Sequence, residues 1–205
     1  MPQPISRLYP DANIHYGNAG DRPLLQRPDL AALAMEAIAS WSNVEAFMLR
    51  LFVELFGGKE SLATEVFLAL NGQSAKDSAI RAAAGFSLKD RPEVFQVLNA
   101  ILAIAGTNEK HRNKLAHHTW GFSPNIPDGL LLVDPRTSLG KVDKTAIYVW
   151  KAADFNSIIS ENDELCGYGF DLRQILLGHI GNQNGEIVQA LLNKPKIRER
   201  LKPLR

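Results

Sequence analysis

The chain has 205 residues, 45% of them apolar and 22% charged, with 15 glycines and 11 prolines; this is globular usage, long enough for one domain with a sizeable core. Lys and Arg number 23 against 22 Asp and Glu, a formal net charge of +1, so no overall field draws the protein to nucleic acid or membrane. A single cysteine, Cys166, excludes an internal disulfide framework and a cysteine-based zinc cluster, and no apolar run approaches the roughly 20 residues of a membrane span.

The opening stretch, MPQPISRLYPDANIHYG, lacks the apolar core of a secretory signal, which makes the cytoplasm the expected compartment. Residues 1–28 contain Pro2, Pro4, Pro10, Pro23 and Pro28 with Gly17, Asn18 and Gly20. That turn chemistry predicts an irregular arm, with Tyr9 and Tyr16 pinning part of it. Helical periodicity begins at Asp29, read as an N-cap. It runs through Leu30, Leu33, Ala37, Trp41, Val44, Met48 and Leu55 to Gly57-Gly58, one long amphipathic helix.

A shorter helix is expected over 60–70. Ser74 with Asp77 three residues on reads as a capping box opening a third helix to about Ala84. Pro92 suits the first turn of a fourth long helix, which carries Val94, Leu98, Ile101 and Ala105 to about His118.

After Gly121 the pattern changes. Leu130–Val133 and Thr145–Trp150 read as two strands of a small hairpin inserted at about 129–150. Helical spacing returns from Asp154 and is interrupted by Gly167 and Gly169, giving one kinked helix or two. Cys166 falls on the apolar stripe of this segment and is expected to be buried and inert. Glu186–Leu192 suggests a final turn or two. Residues 193–205 carry Lys194, Lys196, Arg198, Arg200, Lys202 and Arg205 against Glu199: a solvated basic tail, or one that holds RNA backbone. The expected organisation is therefore an arm (1–28), one helical domain (29–192) and a tail (193–205).

The run from His111 to Gly121, HRNKLAHHTWG, carries the chemistry. The apolar stripe of the fourth helix continues at helical spacing into Asn108 and Arg112, so a core-facing stripe turns polar. Such residues are buried and paired, or they face a partner or substrate. Lys110, His111, Arg112, Lys114, His117 and His118 concentrate positive and imidazole groups at a helix C-terminus, where cations are favoured.

Asn113 and His117 share a helix face, whereas Arg112 and His117 lie about 140° apart on an ideal helix. They converge on one ligand only if the helix loosens near Ala116 or if both flank a groove. The bland alternative is a structural cluster in which Arg112 bonds a neighbouring carboxylate. His111 reads as a surface residue. His15 and His179 are isolated. No HExxH and no acid–His spacing suggests a metal site, so neither metal nor cofactor is expected. Gly167-Tyr168-Gly169 lacks the rest of a dinucleotide fingerprint, and no Walker or GxSxG pattern is present.

Arg112-Asn113-Lys114-Leu115-Ala116-His117 resembles the hallmark of the HEPN superfamily: an Arg, a polar residue, a short spacer and a His. The continuation Leu-Ala-His-His-Thr-Trp-Gly looks like many uncharacterised bacterial members. The preceding order is also similar: a long helix with Trp41 and Glu45, two further helices, and the motif at a helix end. The resemblance covers residues 29–121. It implies a mainly all-α, antiparallel helical bundle, here with the small inserted hairpin.

It also implies a metal-independent endoribonuclease working as a homodimer, with His117 as acid/base, Arg112 as phosphate anchor and Asn113 orienting one of them. RNA supplies its own 2′-hydroxyl nucleophile, so such chemistry needs no metal-bound water. Lys110, Lys114, His118 and Trp120 would touch RNA, although an aromatic just past a helix end also serves as a core lid. Glu45 and Asn108 are candidate supporting residues. A toxin or phage-defence setting, with an antitoxin or other protein partner, follows from the resemblance alone. The rival reading is a non-catalytic module that binds a nucleotide, an RNA or a protein.

Overall fold

The apolar runs at helical spacing become long helices, and the residues around them supply a small sheet. In this computed structural model the described residues are 1–17, 20–138, 143–179 and 185–201. The elements in chain order are β1 (Gln3–Pro4), α1 (Ile5–Leu8), β2 (His15–Tyr16), α2 (Pro23–Gln26) and α3 (Pro28–Leu55). Then come α4 (Glu60–Ala69), α5 (Gln73–Ser87), α6 (Pro92–His117), β3 (Thr119–Phe122), β4 (Leu130–Val133) and α7 (Pro135–Ser138). A 3-10 turn (Lys144–Ala146), β5 (Ile147–Trp150), α8 (Ala152–Leu176), α9 (Glu186–Leu192) and α10 (Pro195–Arg198) follow. The fold is mainly α, as the periodicity predicts. Among the described residues no helix is long and apolar enough to cross a membrane.

The residues group into two compact units, Met1–Trp41 with Glu109–Glu161, and Ser42–Asn108 with Asn162–Arg205. The division falls inside α3, α6 and α8, so no loop or composition shift marks it in the sequence.

In the first unit the sheet has five antiparallel strands in the order β1-β5-β4-β3-β2. The predicted hairpin is its centre: Leu132 pairs with Tyr148 and Leu130 with Trp150. β4 is buried at every position, because both faces of the sheet are covered. That is why it reads as a continuous apolar run instead of an alternation. On one face Leu130, Leu132 and Trp150 pack with Leu30, Ala34 and Ala37 of α3, Leu115 of α6, and Phe155 and Ile158 of α8. On the other face Leu131, Val133, Ile147 and Val149 pack with Ile5, Ala12 and Ile126.

The N-terminal segment is therefore not an irregular arm. It supplies both outer strands, and Ile5 is fully buried. Two-residue strands carry no periodicity, and Pro4 on an edge strand reads from sequence as loop chemistry. Lys144 Nζ fastens the segment further, donating to Pro10 O at 2.6 Å and Ala12 O at 3.3 Å. Gly121 is demanded by this arrangement: a Cβ there would lie 2.7 Å from His15 O across the β2–β3 pair.

In the second unit the buried faces are Val44, Met48, Leu51 and Phe52 of α3, Phe67 of α4, Ile80 and Ala84 of α5, Val97, Leu98 and Ile101 of α6, and Leu165, Leu172 and Ile175 of α8. Phe52 stacks obliquely on Phe67 with ring centres 5.5 Å apart. Arg173 donates to Glu54 Oε1 from two nitrogens, at 3.0 and 2.8 Å. α8 passes through Gly167 and Gly169 as one helix. A Cβ at position 169 would meet the Phe47 ring at 3.3 Å, so that glycine reflects close packing and not a break.

Three local expectations are corrected here. α3 opens at Pro28, two residues before the Leu30 start that an Asp29 N-cap implies, with Asp29 inside its first turn. The capping box does not form: α5 begins at Gln73 behind Gly72 with no side-chain cap, and Asp77 accepts from Gln73 Nε2 at 2.8 Å instead. The basic tail is not a free end through residue 201. Ile197 of α10 is buried, Lys196 pairs with Glu164 at 2.8 Å, and Arg200 donates to Thr107 Oγ1 at 3.3 Å. Asn18, Gly181 and residues 202–205, including Lys202 and Arg205, lie outside the described residues.

Candidate functional site

α6 stays helical through His117, and the next amide, His118 N, still bonds to Lys114 O at 2.9 Å. Thr119 then opens β3 directly. The helix does not loosen near Ala116, so within one chain Arg112 and His117 stay about 140° apart. Leu115, fully buried in the first-unit core, fixes how this helix end is rotated. His111, Lys114 and His118 fall within about 60° of one another on Leu115's side, whereas Asn113 and His117 fall on the far side with Arg112 between.

On the motif side, Arg112 Nη1 donates to Asn113 Oδ1 at 2.8 Å, and Asn113 Nδ2 donates to Glu109 Oε1 at 3.3 Å. Glu109 thus holds the carboxamide that holds the guanidinium. Arg112 is half-buried and makes no ion pair among the described residues. Among the described residues its hydrogen-bond partner is a neutral amide, with the Glu109 carboxylate one hydrogen bond further along. His117 is exposed and without a hydrogen-bond partner among the described residues, and Lys110 and Lys114 are exposed.

Other predicted residues are engaged elsewhere. Asn108 belongs to the second unit, where it is buried and donates to Asn162 Oδ1 at 3.0 Å. It is the buried, paired polar residue of the two alternatives. Glu45, also in the second unit, is not a free supporting carboxylate: Lys76 occupies it at 3.4 Å. Trp120 is half-buried against the first-unit core, with its ring 6.5 Å from that of Phe155, the core-lid arrangement. His15 is not isolated; it pairs with Asp21 at 3.1 Å and stacks on Phe122. Cys166 is half-buried, and burial pushes its thiol up to about 11, so it is protonated and inert at neutral pH.

The side of α6 that faces the sheet forms a pocket of about 230 Å³. His111, Lys114 and His118 line it from the helix and Leu132, Tyr148 and Trp150 from β4 and β5, with Met1 and Pro2 beside them. A smaller space of about 50 Å³ shares His111 and Trp150 and extends to Asp154, Ser157 and Glu161. Burial lowers the pKa of both imidazoles. At His111 the charge of Glu161 opposes this shift and Lys114 reinforces it. At His118 Asp134 opposes it, while Lys114, Arg136 and His117 reinforce it. Both rings are therefore mainly neutral at pH 7.

Sequence reading places His111 on the surface and misses the pocket. The spacing of His111, Lys114 and His118 signals one shared helix face, but the sheet wall opposite comes from residues far along the chain. Among the described residues no group of three or more His, Cys, Asp or Glu side chains is arranged to hold a metal ion. No family model, curated protein or solved structure matches this chain.

Proposed function

We propose that the protein is a metal-independent endoribonuclease of HEPN type, acting as a homodimer through the motif side of α6. The observation that carries this reading is the state of Arg112: half-buried, held by Asn113, and without an anionic partner among the described residues. A positioned guanidinium with no direct carboxylate partner suits an RNA phosphate, which it can hold bidentately and whose growing charge it can stabilise. His117, exposed and unpartnered, can remove the proton from a ribose 2′-hydroxyl.

The 2′-oxygen then attacks the adjacent phosphorus, and the bond to the 5′-oxygen breaks. That oxygen takes up a proton from the protonated His117, leaving a 2′,3′-cyclic phosphate and a 5′-hydroxyl and restoring the neutral imidazole. Because Arg112 and His117 diverge on an unbroken helix, the dimer lets Arg112 of one copy work with His117 of the other. Exposed Lys110, on the same side, would add a salt-dependent contact to the RNA backbone.

The same divergence favours a second reading, a non-catalytic module that binds a nucleotide, an RNA or a protein. The test is incubation of purified protein with mixed RNA in excess EDTA, alongside Arg112→Ala and His117→Ala. Loss of cleavage in both variants, with the fold intact, supports the proposal. Cleavage unchanged in both removes these residues from the chemistry. Binding without cleavage by the wild type favours the second reading.

A further inference from the structure

We propose that the pocket between the end of α6 and the β4–β5 face binds a small carboxylate carried on a single flat ring. His111, Lys114, His118 and Tyr148 all line this pocket. None of them has a hydrogen-bond or ion-pair partner among the described residues. Elsewhere comparable groups are engaged: Lys76 with Glu45, Lys151 with Asp128, Lys196 with Glu164, and His15 with Asp21. An ammonium, two imidazoles and a phenol left unpaired around one concavity are convergent polar groups of the kind that fix a ligand's head.

The opposite wall fits an apolar body. Leu132 and Tyr148 are directly paired across β4 and β5. Trp150 stands on the same sheet face, its ring packed on Phe155 at 5.6 Å and so held rigid.

Size and charge narrow the class. A dry cavity of about 150 Å³ accepts benzene, and drug-sized ligands need about 300 Å³ or more. The pocket, at about 230 Å³, therefore takes a substituted single ring. Of its two lining cations the Met1 ammonium is paired with Asp154 at 3.1 Å, so Lys114 carries the one unpaired charge, and the imidazoles are held mainly neutral. A monoanion matches that balance. A phosphate dianion would keep one charge uncompensated, with Glu161 in the adjoining space.

Benzoate is the probe. Titrated into the full chain in the absence of RNA, it should shift the imidazole ring signals of His111 and His118 saturably in the millimolar range. Benzyl alcohol, the neutral counterpart, should bind at least about tenfold more weakly, and Lys114→Met should lower benzoate affinity by a similar factor. Tyr148→Phe, which keeps the ring, should weaken binding less. Inorganic phosphate should produce smaller shifts than benzoate.

Several results would each overturn the proposal: no saturable shift, equal binding of benzyl alcohol, unchanged affinity in a folded Lys114→Met, or stronger shifts with phosphate. RNA is absent throughout, so the outcome is independent of whether the motif side cleaves.

Discussion

The two sides of α6 near its C-terminus use neighbouring residues for opposite purposes. His111, Lys114 and His118 turn toward the sheet and enclose a pocket, with both imidazoles depressed by burial. Asn113 and His117 turn away, with Arg112 between, anchored through Asn113 to Glu109. Read as a string, the segment is one basic cluster. Wound at 3.6 residues per turn, it becomes two chemically distinct surfaces separated by the rotation that Leu115 sets. A positive cluster on a helix is therefore informative only after its residues have been sorted by face.

Leu115→Ala attacks the element common to both sides. A fully buried leucine truncated to alanine costs about 2 to 5 kcal/mol. Urea unfolding should show that loss, with benzoate binding and RNA cleavage weakened together. Failure of only one side would mean that the rotation of α6 is fixed by something other than Leu115.

Gly121→Ala should leave the contrast intact while weakening the sheet. The new methyl would meet His15 O, and overpacking of this kind costs about 1 to 3 kcal/mol. A fall in melting temperature with normal benzoate binding is the expected result. Loss of the pocket would show that the β2–β3 pair supports it.

Acid sharpens the comparison with a smaller effect. The folded-state pKa values of His111 and His118 lie below the ordinary 6.5, so the unfolded chain binds more protons between those values and 6.5. The stability these two groups contribute is present above pH 6.5 and is lost as pH falls through that window. The wild type should therefore lose melting temperature on acidification more steeply than a His111→Gln/His118→Gln double variant. Benzoate affinity should rise over the same range as the rings gain charge. The groups acting on the two rings are Glu161, Lys114, the amino terminus, Asp134, Arg136 and His117.

The long helices and the central hairpin are legible in the sequence because burial on one face imprints a period, and because β4, covered on both faces, becomes a solid apolar run. The edge strands are not legible. Gln3–Pro4 and His15–Tyr16 are too short to show alternation, and their pairing with Tyr148, Val149, Gly121 and Phe122 is a long-range choice. α10 was hidden for a related reason: Ile197 alone is buried among basic residues.

At the site, the chemistry of Arg112, Asn113 and His117 is visible in the residue order, as is the turn to polarity at Asn108. What Asn108 and Glu45 bond to depends on tertiary neighbours, Asn162 and Lys76. The pocket face is half legible. The spacing of His111, Lys114 and His118 is in the sequence, but Leu132 and Tyr148 reach it through strand pairing alone.

The most direct test compares His117→Ala with His111→Ala in the EDTA-treated RNA assay, scoring 2′,3′-cyclic phosphate ends. We predict that His117→Ala loses cleavage by about 10² to 10⁴-fold, the scale of a general base, and that His111→Ala retains it. Cleavage lost in His111→Ala and kept in His117→Ala would contradict the account and move the chemistry to the pocket side of the helix.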